Sequence, residues 1–256
     1  MSVQTRASSS AIAVAQSGFD AWRASRQAAV TGPLGNLALV ETRWLPQGTD
    51  VEEARAAEEK RLDADADGEE DGAGGHVTVT TLRRTNIHTG EPEHALRLWD
   101  ADAPAIQHFS SIDTYPFRPD WVVEAAFAPV ATDRRVPFEH IRDSGGSREL
   151  VVPGDIHVTL DGVDYTLSAF DDDGTLLLVF GDPTNGADTY GAGRFLFVPR
   201  EGESETVILD FNRAFVPPCG FSAQYNCPLP PRQNRLHLPV HAGEKVPVFR
   251  GGYSLS

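Results

Sequence analysis

The residues able to do chemistry concentrate between Phe180 and Lys245. The run GDPTNGADTYGAGRF supplies Asp182, Asn185, Asp188, Thr189, Tyr190 and Arg194 among Gly181, Gly186, Gly191 and Gly193. Glycines of this kind let a backbone approach a ligand closely. Gly191-Ala192-Gly193 lacks the third glycine and the following helix of a dinucleotide fingerprint, so the run names no cofactor. In LDFNRAFVPPCGFSAQYNCPLPPRQNRL, strand alternation points Asp210 and Asn212 the same way. Asn234, Arg235, Glu244 and Lys245 follow. Asp182, Asp210 and Glu244 are the carboxylates available for acid and base roles, because paired carboxylates can split their pKa values as hydrolase or lyase chemistry needs. Arg194, Arg235 and Lys245 would form a cationic spot, walled by Tyr190 and Phe221. The same residue types also cap turns and satisfy buried backbone, so a purely structural reading stays open beside the two functional ones.

Metal chemistry has weaker support. Asp63, Asp65, Asp67 and Gly68 copy the opening of a calcium loop, yet Gly74 stands where the bidentate Glu belongs and a strand pattern follows. Cys219 and Cys227, with His237 and His241, have zinc-compatible types at an unfamiliar spacing. No metal site is expected from either, and the two thiols read as a structural pair, reduced or bridged. The chain contains no G-x-S-x-G, P-loop or H-E-x-x-H.

The elements that must position these residues are mainly strands. Phe19, Trp22, Arg23, Arg26 and Ala29 have helical spacing over Gly18 to Val30, and Gly32-Pro33 stops that helix. Thereafter short strands are expected from Leu37, His76, His94, Trp121, Asp155, Asp164, Thr175, Arg194, Thr206 and Arg235. Gly-bearing stretches at Asp161-Gly162 and Asp173-Gly174 predict a three-stranded meander. The expected fold is mostly β, an antiparallel sandwich or partly open barrel with one N-terminal helix, in one domain over residues 18–250.

Charge narrows the partners. The 256 residues carry 37 Asp and Glu against 22 Lys and Arg, a formal net charge of −15. That balance repels nucleic acid and anionic lipid surfaces, so neither is expected as a partner. No apolar run approaches a membrane span or a signal-peptide core, which predicts a cytoplasmic protein. Twenty of the basic residues are Arg and two are Lys, Lys60 and Lys245. An Asp-rich, Lys-poor surface suits a high-salt cytoplasm, where carboxylates stay hydrated and their repulsion is screened. Residues 50–75 hold eleven acidic and three basic residues. They read as an acidic insert whose first half has helix-forming residues but no apolar stripe, and whose second half is expected to be disordered.

The run from Gly181 to Val198, the run from Leu209 to Leu236, and AGEK at Ala242 to Lys245 together resemble a bacterial and archaeal family known only as domain of unknown function 1684. The similarity extends more loosely through WRASRQ, LALVETRWLPQG, APAIQHFSSIDTYPF and VPGD. Its motifs fall on Thr189 to Arg194, Asp210 to Asn212, Cys227 to Pro231, Asn234 with Arg235, and Ala242 to Lys245. The resemblance implies no known reaction. The expected function is therefore small-molecule binding in a polar pocket built by the C-terminal loops, with an enzyme or a purely structural signature as alternatives.

Overall fold

The computed structural model describes residues 6–66, 77–130, 134–200, 202 and 204–255. They divide into two compact units. One comprises Met1–Ala24, Ile112–Gly220 and Asn226–Pro247; the other comprises Ser25–Ser111, Phe221–Tyr225 and Val248–Ser256.

The second unit is a three-stranded antiparallel sheet with a helix. Strands β1 (Leu39–Trp44), β2 (Val77–Thr85) and β3 (Pro92–Asp100) lie in the order β1-β3-β2. Helix α1 (Ser9–Thr31) contributes its last residues here and its first to the other unit. Helix α2 (Val51–Ala66) covers the first half of the acidic segment. Contrary to the expectation that it has nothing to bury, Ala54 and Leu62 pack on Val79, Leu96 and Leu98. Glu58, on the same turn spacing, is buried with Arg43 Nη1 at 2.8 Å and Arg61 Nη2 at 2.7 Å. Acidic faces hide such stripes because a small Ala and one Leu suffice when a buried Glu is paired. Of the calcium-like run, Asp63 lies in α2, while Asp67 and Gly68 fall outside the described residues, as does the second half of the insert. A short helix, α3 (Pro104–His108), leads into β4 (Phe109–Thr114).

The first unit holds the nearly closed, barrel-like sheet. Strands β5 (Val122–Pro129), β6 (Arg135–Glu139), β7 (Ser147–Val151), β8 (Gly154–Leu160), β9 (Val163–Asp172), β10 (Thr175–Phe180), β11 (Arg194–Val198) and β12 (Thr206–Asp210) follow in chain order. Six of them make one antiparallel sheet in the order β11-β10-β9-β8-β5-β12, and the edge strands β11 and β12 approach one another. β6 and β7 form a separate hairpin, and β13 (Glu244–Phe249) pairs with β4. The expected meander is β8-β9-β10. Its turns place Asp161 and Gly162 at φ 48° and 77°, and Asp173 and Gly174 at φ 50° and 84°. Turns with both central residues left-handed match the right-handed twist of tight hairpins, and Asp-Gly is among the pairs that adopt them most readily.

Alternation fills the interior. Ile156, Val158 and Leu160 of β8, Leu167 and Ala169 of β9, Leu176, Leu178 and Phe180 of β10, and Leu196 and Val198 of β11 share one core. At the start of α1, Ala7, Ala15 and Val122 pack together with Ile12, Phe117 and Ile208. The helix therefore begins earlier than the Gly18 read from spacing, capped by the Ser8 hydroxyl accepting from the Ala11 amide.

One expected strand is absent. Residues 235–240 form no ladder and make only an isolated bridge between Gly181 and Arg235. Leu236 and Val240 do enter the barrel core. Pro239 has no N–H to give, and the Val240 amide donates instead to the Asp182 carboxylate. Conversely, β6 and β13 carry Pro137 and Pro247, and β4 reads FSSIDT, so none of the three shows the apolar alternation that announces a strand.

Candidate functional site

Arg194 opens β11 opposite Phe180, the last residue of β10. It shares a strand face with Leu196 and Val198, so alternation sends a guanidinium into the barrel. There it is completely buried. Asp182, two residues beyond Phe180, turns back over the same strand end. Arg194 Nη2 lies 2.8 Å from Asp182 Oδ2, and neither side chain is exposed. Both terminal nitrogens also bond backbone carbonyls, while the buried Nε has no hydrogen-bond partner among the described residues. Nη2 donates to Val240 O at 2.8 Å, and Nη1 to Ala242 O at 2.5 Å and Glu244 O at 3.3 Å. The Phe180 ring lies beside the guanidinium, 5.3 Å from its centroid. Burial pulls the Arg194 guanidinium below its ordinary pKa, and the Asp182 charge opposes that pull. Asp182 Oδ1 meanwhile accepts the amides of Thr184 and Val240. One arginine thus ties a chain segment that could not form a ladder to the end of the barrel.

The other predicted residues do similar work elsewhere in the unit. Asn234 is fully buried; its Oδ1 accepts the Ser168 amide at 2.9 Å, and its Nδ2 donates to Ser168 O and Val179 O, each at 2.8 Å. It satisfies β9 and β10 where their mutual pairing ends. Asn212, also fully buried, clasps both backbone groups of Arg118, accepting its amide at 2.7 Å and donating to its carbonyl at 3.1 Å. Asp210 caps the short 3-10 turn Phe211–Arg213, accepting from the Asn212 amide and side chain, with Arg213 Nε at 3.4 Å. Burial pushes the Asp210 carboxyl up, against the Asn212 hydrogen bonds. Glu244 is buried and accepts the Val216 amide at 2.8 Å.

Lys245 Nζ lies 3.1 Å from Asp113 and 4.8 Å from the Tyr115 ring centroid. Burial, helped by the hydrogen bond to Asp188, pushes the Tyr115 hydroxyl up to about 12. Tyr190 donates its hydroxyl to Cys219 O at 3.0 Å. The residues proposed for zinc part company: His237 bonds the Tyr165 hydroxyl, His241 packs on the Tyr115 ring, and the two cysteines face each other. Among the described residues, no group of three or more His, Cys, Asp or Glu side chains could hold a metal.

Of the cationic trio, Arg194 is sealed in the barrel and Lys245 is paired, while Arg235 stands on a cleft of about 470 Å³. Gly181, Asp182, Asn185, Gly191, Ala192 and Pro230 are among its lining residues, the Asp182 carboxylate itself being unexposed and paired with Arg194. Arg235 is exposed, donates through Nε to Pro230 O at 3.3 Å, and has no carboxylate partner among the described residues. Nor do the amides of Gly191 and Ala192 donate to any described group. The two amides went unnoticed in the sequence, although the glycines around them were the signal. Gly193 is required by packing, since a Cβ there would sit 2.6 Å from Pro230 and 2.7 Å from Phe180 O. Gly191 is different: its Cβ would meet nothing nearer than 3.8 Å.

The site lies within the segment that relates the chain to others. Residues 107–245 match the profile of the family described as "Protein of unknown function (DUF1684)". The chain belongs to that family. It is also similar to an uncharacterized protein of Haloarcula marismortui solved by solution NMR, with 31% identity over 54% of this chain and 77% of that one, at a TM-score of 0.45. No curated protein matches. Among the described residues, no helix is long and apolar enough to cross a membrane.

Proposed function

We propose that the barrel unit binds a small anion of carboxylate or phosphate type in the cleft beside Arg235. The observation that carries this reading is the exposed Arg235 guanidinium, which has no carboxylate partner among the described residues of a chain of net charge −15, on a cleft also lined by Gly191 and Ala192, whose amides donate to no described group. A guanidinium with adjacent free backbone N–H groups is an anion-recognition set, and the cleft volume suits a small molecule. The buried signature residues then act as the scaffold that fixes the loop, and Asp182, Asp210 and Glu244 are each already committed as acceptors. That commitment favours binding over acid and base catalysis at these three. The acid surplus supports a high-salt cytoplasm as the setting in which such a site works.

Thermal-shift and calorimetric titration with a panel of small carboxylates and phosphate esters tests the reading. At least one should stabilise the protein saturably, and Arg235→Ala should weaken it at least tenfold, a loss of about 1.4 kcal/mol. Gly191→Val, which fills open space, should weaken the same ligand without lowering the melting temperature of the free protein. Saturable binding that both variants retain would overturn the assignment, as would no response beyond that of chloride.

A further inference from the structure

The two cysteines of the chain, eight residues apart, meet within the barrel unit. Both are free thiols. The Cys219 amide donates to the Cys227 sulfur at 3.3 Å, and the Cys227 thiol hydrogen-bonds the Cys219 sulfur. Their surroundings differ. Cys227 is buried, and its carbonyl accepts the Ile141 amide at 3.0 Å. Cys219 is half-buried, held at the centre of the 3-10 turn Pro218–Gly220, with Tyr190 Oη donating to its carbonyl. Two thiols serving only as small apolar fillers have no need of one partly exposed and one buried.

We infer that Cys219 and Cys227 form a thiol-exchange site for low-molecular-weight disulfides, with Cys219 as the attacking sulfur and Cys227 as the resolving one. Cys219 gives its proton to solvent, and its thiolate attacks one sulfur of the incoming disulfide. The small molecule's S–S bond breaks, and one half leaves as a thiolate that takes up a proton. Cys227 then loses its own proton and attacks Cys219 Sγ. The mixed disulfide breaks, the second half departs as a thiol, and a Cys219–Cys227 disulfide remains. The protein dithiol is oxidised by two electrons, and the small disulfide is reduced to two thiols.

The electrostatics agree with this order. The hydrogen bond from Cys227 holds the Cys219 thiol below its ordinary pKa against the effect of burial, and the Arg142 charge acts in the same direction. Burial pushes the Tyr190 hydroxyl up, so it remains a protonated donor beside Cys219. The disulfide would pin both ends of residues 220–226. The middle of that loop, Phe221–Tyr225, counts with the second unit, where Ser222 Oγ donates to Leu39 O at 2.7 Å and Gln224 accepts the Thr42 amide at 2.9 Å.

Oxidised glutathione is the probe. Wild-type protein should convert to a 219–227 linked species, lighter by two hydrogens and fully restored by dithiothreitol. Cys227→Ser should stall as a glutathione adduct on Cys219, and Cys219→Ser should react at least about tenfold more slowly. Should either serine variant fail to fold, iodoacetamide labelling of the native wild type decides: Cys219 is expected to label at least about tenfold faster than Cys227. An adduct forming first on Cys227, only intermolecular dimers, or thiols that stay inert until urea unfolds the chain would overturn the inference.

Discussion

In the barrel unit, Arg194 meets Asp182 with both side chains removed from water; in the second unit, Arg43 and Arg61 meet Glu58 with both guanidinium groups about half in solvent. The distances are nearly the same, 2.8 Å in the first site and 2.8 and 2.7 Å in the other. What differs is the surroundings. Around Glu58 the carboxylate is buried, but water reaches both guanidinium groups and screens the pairs from their side, so the ions contribute less than a fully sealed pair beyond fastening a helix face. Around Arg194 no water substitutes, and Val240, Ala242 and Glu244 offer it backbone carbonyls that have to be satisfied. A buried pair of this kind is weak evidence of net stabilisation, but breaking it leaves an uncompensated charge. Pair geometry alone therefore does not tell a scaffold from an ornament; burial does.

Removing Arg194 should separate the two regions most widely. Arg194→Ala should lower unfolding stability by about 3–5 kcal/mol in chemical denaturation, because Asp182 is left buried and unpaired. Asn234→Ala should come next, at about 2–3 kcal/mol, since it strands the Ser168 amide and carbonyl and the Val179 carbonyl.

An intermediate case sharpens the contrast. Asp155 faces Arg134 through two bonds of 2.8 and 2.7 Å at a partly exposed site, and those bonds hold its carboxyl below the usual range. A carboxyl depressed in the folded state adds stability above its unfolded pKa, near 4, and loses it as pH falls through the folded value. Asp155→Asn should cost about 1 kcal/mol at neutral pH. The difference from wild type should vanish as the pH of the denaturation series is lowered toward 2, and a constant difference would refute the pairing.

Glu58→Gln should show the smallest effect, about 0.5–1 kcal/mol. Repeating the denaturations in molar KCl should reduce the Glu58 difference and leave the Arg194 difference intact, because screening reaches the exposed Arg43 and Arg61 charges and not a pair sealed on both sides. Equal salt sensitivity at the two sites would break the comparison.

Much of the barrel was legible before any coordinates. The β8-β9-β10 meander announced itself through Asp161-Gly162 and Asp173-Gly174 set between alternating strands. Strands interrupted by proline, such as β6 and β13, did not, and residues 235–240 carried the alternation of a strand while spending their backbone on side chains. The polar residues of the signature were legible as a group. Their roles were not, because alternation fixes which face a side chain takes but not whether a charge on that face has a partner. Arg194 stood in register with Leu196 and Val198, and that was the available sign that it points inward. Its partner, Asp182, is set by the turn of the intervening loop, which local pattern does not encode.

The central claim is that Arg194 and Asp182 form one buried structural unit whose charges are spent on each other, and that the proposed ligand recognition rests on Arg235 instead. A double-mutant cycle on Arg194→Met and Asp182→Asn, read by urea denaturation, tests it most directly. Each single change should cost several kcal/mol, and the pair together should cost at least about 2 kcal/mol less than their sum, because neutralising both removes the stranded charge. Small, additive losses, or a gain in stability from either single change, would mark a strained functional site instead and contradict the claim.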